Sequence, residues 1–289
     1  MHKPILLFLD WDSTLTTTST IPLLLSLSPY SPSTTPSELS ALYASSFAAH
    51  SSSYAPTTSS RTTLTEEITY LDNLRDVERA SIERCEQAGV WRGVTRQIIE
   101  DAAEKAIREG SVALREGAEM LIEEVLKGRG RVVVLSVGWS GRFICGCLRT
   151  AFGKKAETVE VRANEIEEDG KLSRYFRAEE GGIWTCGDKA RMLKEVVQEA
   201  EEVKTVYVGD SVTDLQCLTS VDVGICMWDD SDGSEQRELR RTLERLGVEC
   251  RWIKNSKASQ KRNGVAEEQT GLWWAHDFHE ICNSAIYDR

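Results

Sequence analysis

The chain has 289 residues, 40% of them hydrophobic and 28% charged, which suits one large α/β domain or a core with a smaller second domain. A formal net charge of −11 repels nucleic acid and anionic membranes, so neither is an expected partner. The eight cysteines are scattered, with Cys145 and Cys147 in a CxC and no second pair at zinc-ligand spacing, so reduced and mostly buried thiols are expected.

The first apolar run, Ile5 to Leu9, is too short for a signal-peptide core or a membrane span. An intracellular protein, cytoplasmic or nuclear, is expected. Its continuous apolarity predicts a strand buried on both faces, as in a parallel sheet, that ends at Asp10. Ser26 to Thr65 is rich in Ser, Thr and Pro, with a helix over Ser37 to Ala49 marked by Leu39, Leu42, Tyr43 and Phe47. Ser51 to Thr63 reads as a loop. Thr63 and Glu66 have the spacing of a capping box, and Ile68, Leu71, Leu74, Val77 and Ile82 then mark one helical face. A further helix is predicted over Val94 to Glu109. No strand pattern occurs between Ser19 and Ser111, so this block reads as a helical insertion.

From Val112 the pattern alternates. A helix over Ala118 to Leu126 precedes a strand over Arg131 to Leu135 that ends at Ser136. A helix over Ser140 to Thr150, a strand over Thr158 to Ala163 and a turn at Asp169-Gly170 follow. A helix over Asp188 to Glu201 leads to the strand Thr205 to Val208, which ends at Gly209-Asp210, and Val221 to Met227 is another short strand. Strands separated by helices imply right-handed βαβ units and a Rossmann-like parallel sheet. Glu235 to Leu246 reads as a helix, Gly247 to Ile253 as an edge strand, and Lys254 to Glu268 as a polar loop. The aromatic stretch Gly271 to Trp274 reads as a tail docked on the core. His276 and His279 fall on an ordinary helix face, because no zinc-site spacing is completed.

Three apolar strands thus end in polar residues: Asp10-Trp11-Asp12-Ser13-Thr14, Ser136-Val137-Gly138, and Gly209-Asp210-Ser211-Val212-Thr213-Asp214. Ligands of open parallel sheets bind beyond the carboxyl ends of strands, so all three motifs converge there. Taken together with Lys189, they resemble the four motifs of the haloacid dehalogenase (HAD) superfamily. Asp10 to Thr14 is similar to DxDxT, Ser136 to the second motif, Lys189 to the third, and Gly209 to Asp214 to GDSxxD. Leu114 to Gly117 and Ala163-Asn164-Glu165 with Asp169-Gly170 resemble the phosphoserine phosphatase-like branch, which carries a helical cap between motifs one and two. The resemblance implies an α/β HAD fold, with residues 1–18 and 111–289 as the catalytic core and 19–110 as the cap.

The resemblance also implies a magnesium-dependent phosphomonoester hydrolase acting on a small-molecule phosphate ester. Asp10 would be the nucleophile and Asp12 the general acid and base. Ser136, Gly138, Lys189 and Thr14 would form the phosphate-binding group, with the Gly138 N–H free for the anion. Asp10, the Asp12 backbone carbonyl and Asp210 would hold Mg²⁺, and Asp214 would orient its neighbours. Asp12 is absent from the dehalogenases of this superfamily, because a halide leaving group needs no proton; its presence points to phosphoryl transfer. A protein phosphatase or phosphotransferase of the same fold is a second reading, and a silent HAD-fold binding protein a third.

Overall fold

The computed structural model describes residues 3–173, 182–229, 234–255 and 271–284. Its strands are β1 (Ile5–Leu9), β2 (Arg131–Leu135), β3 (Val159–Arg162), β4 (Glu165–Ile166), β5 (Leu172–Ser173), β6 (Lys204–Gly209), β7 (Val223–Met227), β8 (Cys250–Trp252) and β9 (Gly271–Ala275). The helices before β2 are α1 (Ile21–Leu24), α2 (Pro36–Ser53), α3 (Leu64–Asn73), α4 (Arg75–Ala88), α5 (Arg96–Arg108) and α6 (Ala118–Lys127). Those after it are α7 (Gly141–Phe152), α8 (Cys186–Gln198), α9 (Leu215–Ser220), α10 (Ser234–Arg245) and α11 (Phe278–Cys282).

Seven strands form one parallel sheet in the order β3-β2-β1-β6-β7-β9-β8, and β4 and β5 form a small antiparallel pair across the Asp169-Gly170 turn. The chain starts in the middle, builds outward through β2 to β3, then returns to the other side of β1 with β6. That reversal opens a crevice at the carboxyl ends of β1, β2 and β6. Leu9 pairs with both Val134 and Val208, so these three strands end side by side.

Alternation along β1 divides the core. Leu7 and Leu9 face one layer with Val132, Val134, Val206 and Val208, backed by α5, α6 and α7. Leu6 and Phe8 face the other with Val133, Leu135 and Tyr207, backed by α8, α9 and α10. A strand covered on both faces has no solvated side, which is why β1 reads as an unbroken apolar run. The predicted capping box at Thr63 and Glu66 is present, and Thr35 with Glu38 and Thr185 with Asp188 form two more.

The aromatic stretch near the C-terminus differs from its expectation. It is β9, a strand of the main sheet between β7 and the edge strand β8, with Leu272 to Ala275 buried. The helical block also divides: Gly146 of α7 packs so close to Ala103 of α5 that a Cβ added there would lie 2.7 Å from the Ala103 Cβ. α5 therefore belongs to a layer flanking the sheet, whereas α2 and α4 pack on each other away from it. All eight cysteines are free thiols. Among the described residues no helix is long and apolar enough to cross a membrane.

Gly117 shows how the C-terminal segment locks onto the core. Its φ is +81°, and an added Cβ would lie 2.6 Å from the His279 backbone nitrogen at the start of α11. Gly117→Ala combines left-handed strain with a backbone clash, so a loss of at least about 1 kcal/mol in unfolding free energy is expected. Chemical denaturation measures it, and an unchanged midpoint would contradict the packing described.

Candidate active site

The chain turns immediately after β1. Asp10 donates its backbone N–H to Val208 O, while its own carbonyl accepts from Leu15 N and the Trp11 carbonyl from Thr16 N. Asp12 keeps an extended ψ of 131° inside this turn, and Ser13 takes a φ of +57°. The side chain of Asp12 is therefore placed by a tight turn, not by the two-residue alternation of a strand. Its Oδ1 accepts from the Thr20 backbone N–H at 2.5 Å and the Thr20 hydroxyl at 2.7 Å. The Trp11 indole N–H donates to that same hydroxyl at 3.3 Å, a contact that a phenylalanine in this position cannot make.

Arg115 holds the turn from outside. It is 7% exposed, and its guanidinium donates to the carbonyls of Ser13 and Thr14 at 2.7 and 3.0 Å while pairing with Asp229. Three of its nitrogens are thus used, and a lysine has no equivalent fork.

At the end of β6 the acids converge on one ammonium. Lys189 Nζ, on the first turn of α8, lies 2.6 Å from Asp10 Oδ1 and 2.6 Å from Asp214 Oδ1 and is fully buried. Asp214 is saturated. Its Oδ1 also accepts from the Tyr207 hydroxyl, and its Oδ2 accepts from the N–H groups of Asp210 and Ser211 and from the Ser211 hydroxyl. Asp210 differs: Oδ1 accepts from Thr14, and Oδ2 is buried with no hydrogen-bond partner. Thr14, expected among the phosphate ligands, is fully buried with its hydroxyl on Asp210 at 3.0 Å, so it orients an acid.

Ser136 follows β2 and is almost fully buried. The Gly138 N–H, expected to be free, donates to Ser136 Oγ at 2.9 Å. Tight turning after β2 brings the two together, and the hydroxyl that accepts this bond retains its own proton to donate. Asn164 pins the same loop: its side-chain amide donates to the carbonyls of Val137, Gly138 and Ile183, and its oxygen accepts from Ile183 N.

The electrostatics expose a deficit. Burial pushes Asp10 up to about 8, against the pull of Lys189 and with Asp214 adding to it. Burial, then Asp10 and Asp214, holds Asp210 well above the usual carboxylate range. Burial also raises Asp12, partly offset by its Thr20 bonds. Burial opposes the charge on Lys189, but Asp10 and Asp214 outweigh it and raise its pKa. Three buried carboxylates thus face one buried ammonium.

One oxygen each of Asp10, Asp210 and Asp214 lie within 4.8 Å of one another. A hard divalent cation takes oxygen ligands and supplies the missing charge. Because Asp214 is already saturated by donors, Asp10 and the orphaned oxygen of Asp210 are the carboxylates free to bind it. The residues present fit Mg²⁺.

Asp10, Asp12, Ser136, Gly138 and Asp210 line one cavity of about 540 Å³. Its remaining wall comes from the helical block, including Leu39, Tyr43 and Phe47 of α2 and Glu78 and Ile82 of α4. Sequence reasoning missed Thr20 and Tyr207. Thr20 is one of many hydroxyls in a Ser/Thr-rich stretch, and Tyr207 reads as a plain strand residue; neither carries a local signal.

The sequence matches the family described as haloacid dehalogenase-like hydrolase over residues 7–219. It is 28% identical over 215 residues to the "Bifunctional TH2 protein, mitochondrial" of Arabidopsis thaliana, an alignment covering 70% of this chain and 32% of that protein. It is 28% identical over 175 residues to a CTO1 family protein of Schizosaccharomyces pombe, covering 57% of this chain and 63% of that one. The chain thus spans less than two thirds of either relative. Among solved structures it is similar to a phosphoserine phosphohydrolase-like protein from Francisella tularensis, with a TM-score of 0.49 and 16% identity over 97% of this chain and 98% of that one. The family match runs across most of the sequence and takes in Asp10, Ser136, Lys189, Asp210 and Asp214, and the chain belongs to the haloacid dehalogenase-like hydrolases.

Proposed function

We propose that the protein is a Mg²⁺-dependent phosphomonoester hydrolase that works through an aspartyl phosphate on Asp10 and accepts a small phosphorylated molecule. The observation that carries this reading is the charge imbalance around Asp10. A buried carboxylate is held 2.6 Å from a buried lysine, in an acidic cluster short of positive charge, in the wall of a cavity of about 540 Å³. Such a site attracts a cation and positions a nucleophile, and the cavity admits a small ester.

The steps follow from the residues. A carboxylate oxygen of Asp10 attacks phosphorus, and the ester P–O bond breaks. Asp12 donates its proton to the departing alkoxide; burial favours the protonated form required for this. Asp12 then takes a proton from the water that attacks the aspartyl phosphate, releasing inorganic phosphate and restoring Asp10. Lys189 and the Ser136 hydroxyl hold the non-bridging oxygens and counter the charge that builds in both steps. Asp10 and Asp210 would hold Mg²⁺, which when bound would supply further positive charge to the phosphoryl group. Asp214, with Tyr207, holds Lys189 in place. Of residues 19–110, helices α2 to α4 serve as the cap in this reading and close the cavity against water between the two steps, while α5 stays with the sheet.

Release of phosphate from an aryl phosphate is expected to fall by more than about 10³-fold in Asp10→Asn. Activity within tenfold of wild type would remove Asp10 as nucleophile. EDTA is expected to abolish release and added Mg²⁺ to restore it. Asp210→Asn, which removes a charge from the pair facing the cation, is expected to raise the Mg²⁺ concentration for half-maximal rate by about 10-fold or more. An unaltered Mg²⁺ titration in that variant would place the cation elsewhere.

A further inference from the structure

The cavity has two chemically distinct ends. One holds the Asp10, Asp12 and Asp210 cluster. The other carries three glutamates from two helices, Glu78 from α4 and Glu235 and Glu238 from α10, with Tyr43 of α2 also in the lining; Glu235 lies toward the first group, within electrostatic reach of Asp12 and Asp210. The Tyr43 hydroxyl donates to Glu78 at 2.7 Å. Among the described residues, Glu235 and Glu238 have no salt-bridge partner, and no lysine or arginine lines the cavity beside the glutamates; Lys189 lies behind Asp10. The cavity lining also includes the apolar and aromatic side chains of Phe47, Leu71, Leu74 and Trp139.

We infer that the organic half of the substrate carries a positive charge: the cavity takes the phosphomonoester of a cationic, ammonium-type alcohol, selected by Glu78, Glu235 and Glu238. This assignment rests on the phosphomonoesterase reading and names the substrate class of that site. That the cavity is a ligand site follows independently of its glutamates. Asp210, 1% exposed, lines the same space with an unpartnered Oδ2. The phosphate is served at its own end by Lys189 and Ser136, so the glutamates are left to meet the other half of the molecule. A leaving group bearing a carboxylate or second phosphate would meet like charge there; a cation would meet carboxylates in a cavity also lined by Tyr43, Phe47 and Trp139.

The protonation balance agrees. Burial raises the pKa of Glu78; partial desolvation, then Asp12 and Asp214, raises that of Glu235 against Lys189; and partial desolvation, then Glu67, raises that of Glu238 against Arg241, although both α10 glutamates keep contact with solvent. Burial, followed by Glu78, Glu235 and Glu238, also raises that of the Tyr43 phenol, which places all three glutamates within electrostatic reach of one hydroxyl. Carboxylates held above their usual range are relieved by an entering cation.

Charge is isolated by comparing phosphocholine with 3,3-dimethylbutyl phosphate, its uncharged carbon isostere, and with anionic phosphoglycolate. Phosphate release with Mg²⁺ is expected to give a kcat/KM for phosphocholine at least about tenfold above the isostere, with phosphoglycolate lowest. The Glu235→Gln/Glu238→Gln double variant, its folding checked by thermal melting, is expected to bring the phosphocholine-to-isostere ratio below about threefold. A wild-type ratio of one or less, with both esters hydrolysed, overturns the cation preference and leaves the hydrolase reading standing. A ratio that survives the double variant overturns the role of the glutamates. Release from none of the three esters overturns the hydrolase reading and the substrate class with it.

Discussion

The site depends on a charge imbalance: Asp10, Asp210 and Asp214 are buried around Lys189 alone. Buried charges are costly unless paired, and one ammonium pairs with two of the three acids. The arrangement is stable in the places where donors are abundant. Asp214 is surrounded by the ammonium, a phenol, two backbone N–H groups and a hydroxyl, so its charge is dispersed and its orientation locked. Asp210 keeps one oxygen bare. The protein therefore leaves its unmet electrostatic demand on the bare Asp210 oxygen and on Asp10 itself, where a divalent cation and a phosphoryl group are proposed to meet.

Holding those oxygens in register takes contacts from distant parts of the chain. The turn after β1 is gripped by Arg115, about a hundred positions away in sequence, and that arginine is anchored in turn by Asp229 and the His276 carbonyl. Thr14 reaches across from β1 to Asp210. Asn164 ties the loop after β2 to the segment leading into α8. Each motif is supported by a residue from another strand's connection, so the carboxyl edge of the sheet behaves as one hydrogen-bonded unit rather than as three independent loops.

This division explains which features were legible. β1, β2 and β6 are continuous apolar runs closed by a polar residue, a pattern set by burial on both faces, and they read directly from sequence. The strand-end residues Asp10, Ser136 and Asp210 follow from the same logic, and Lys189 from its resemblance to a known motif. Features fixed by non-local geometry did not read. β9 is apolar and aromatic like a docked tail, and only its pairing with β7, far back in the chain, makes it a strand. The part of Thr14 depends on a turn in which a serine, not a glycine, takes a positive φ. The Gly138 N–H is engaged because the chain after β2 doubles back on Ser136.

The helical block is coupled to the chemistry through two side chains, Asp72 and Arg75, that reach the start of α8. Thr185 and Asp188 cap the first turn of α8, the turn that carries Lys189. Arg75, at the start of α4, pairs with Asp188 at 2.9 Å, and Asp72 of α3 accepts from the Thr185 hydroxyl at 2.5 Å. The cap box of the lysine helix is thus completed by residues from the helices that wall the cavity. A displacement of α3 and α4 would remove partners from Asp188 and Thr185 and loosen the turn that presents Lys189 to Asp10. Enclosing the cavity and fixing the lysine draw on the same contacts, which ties water exclusion to the geometry of the nucleophile without any separate switch.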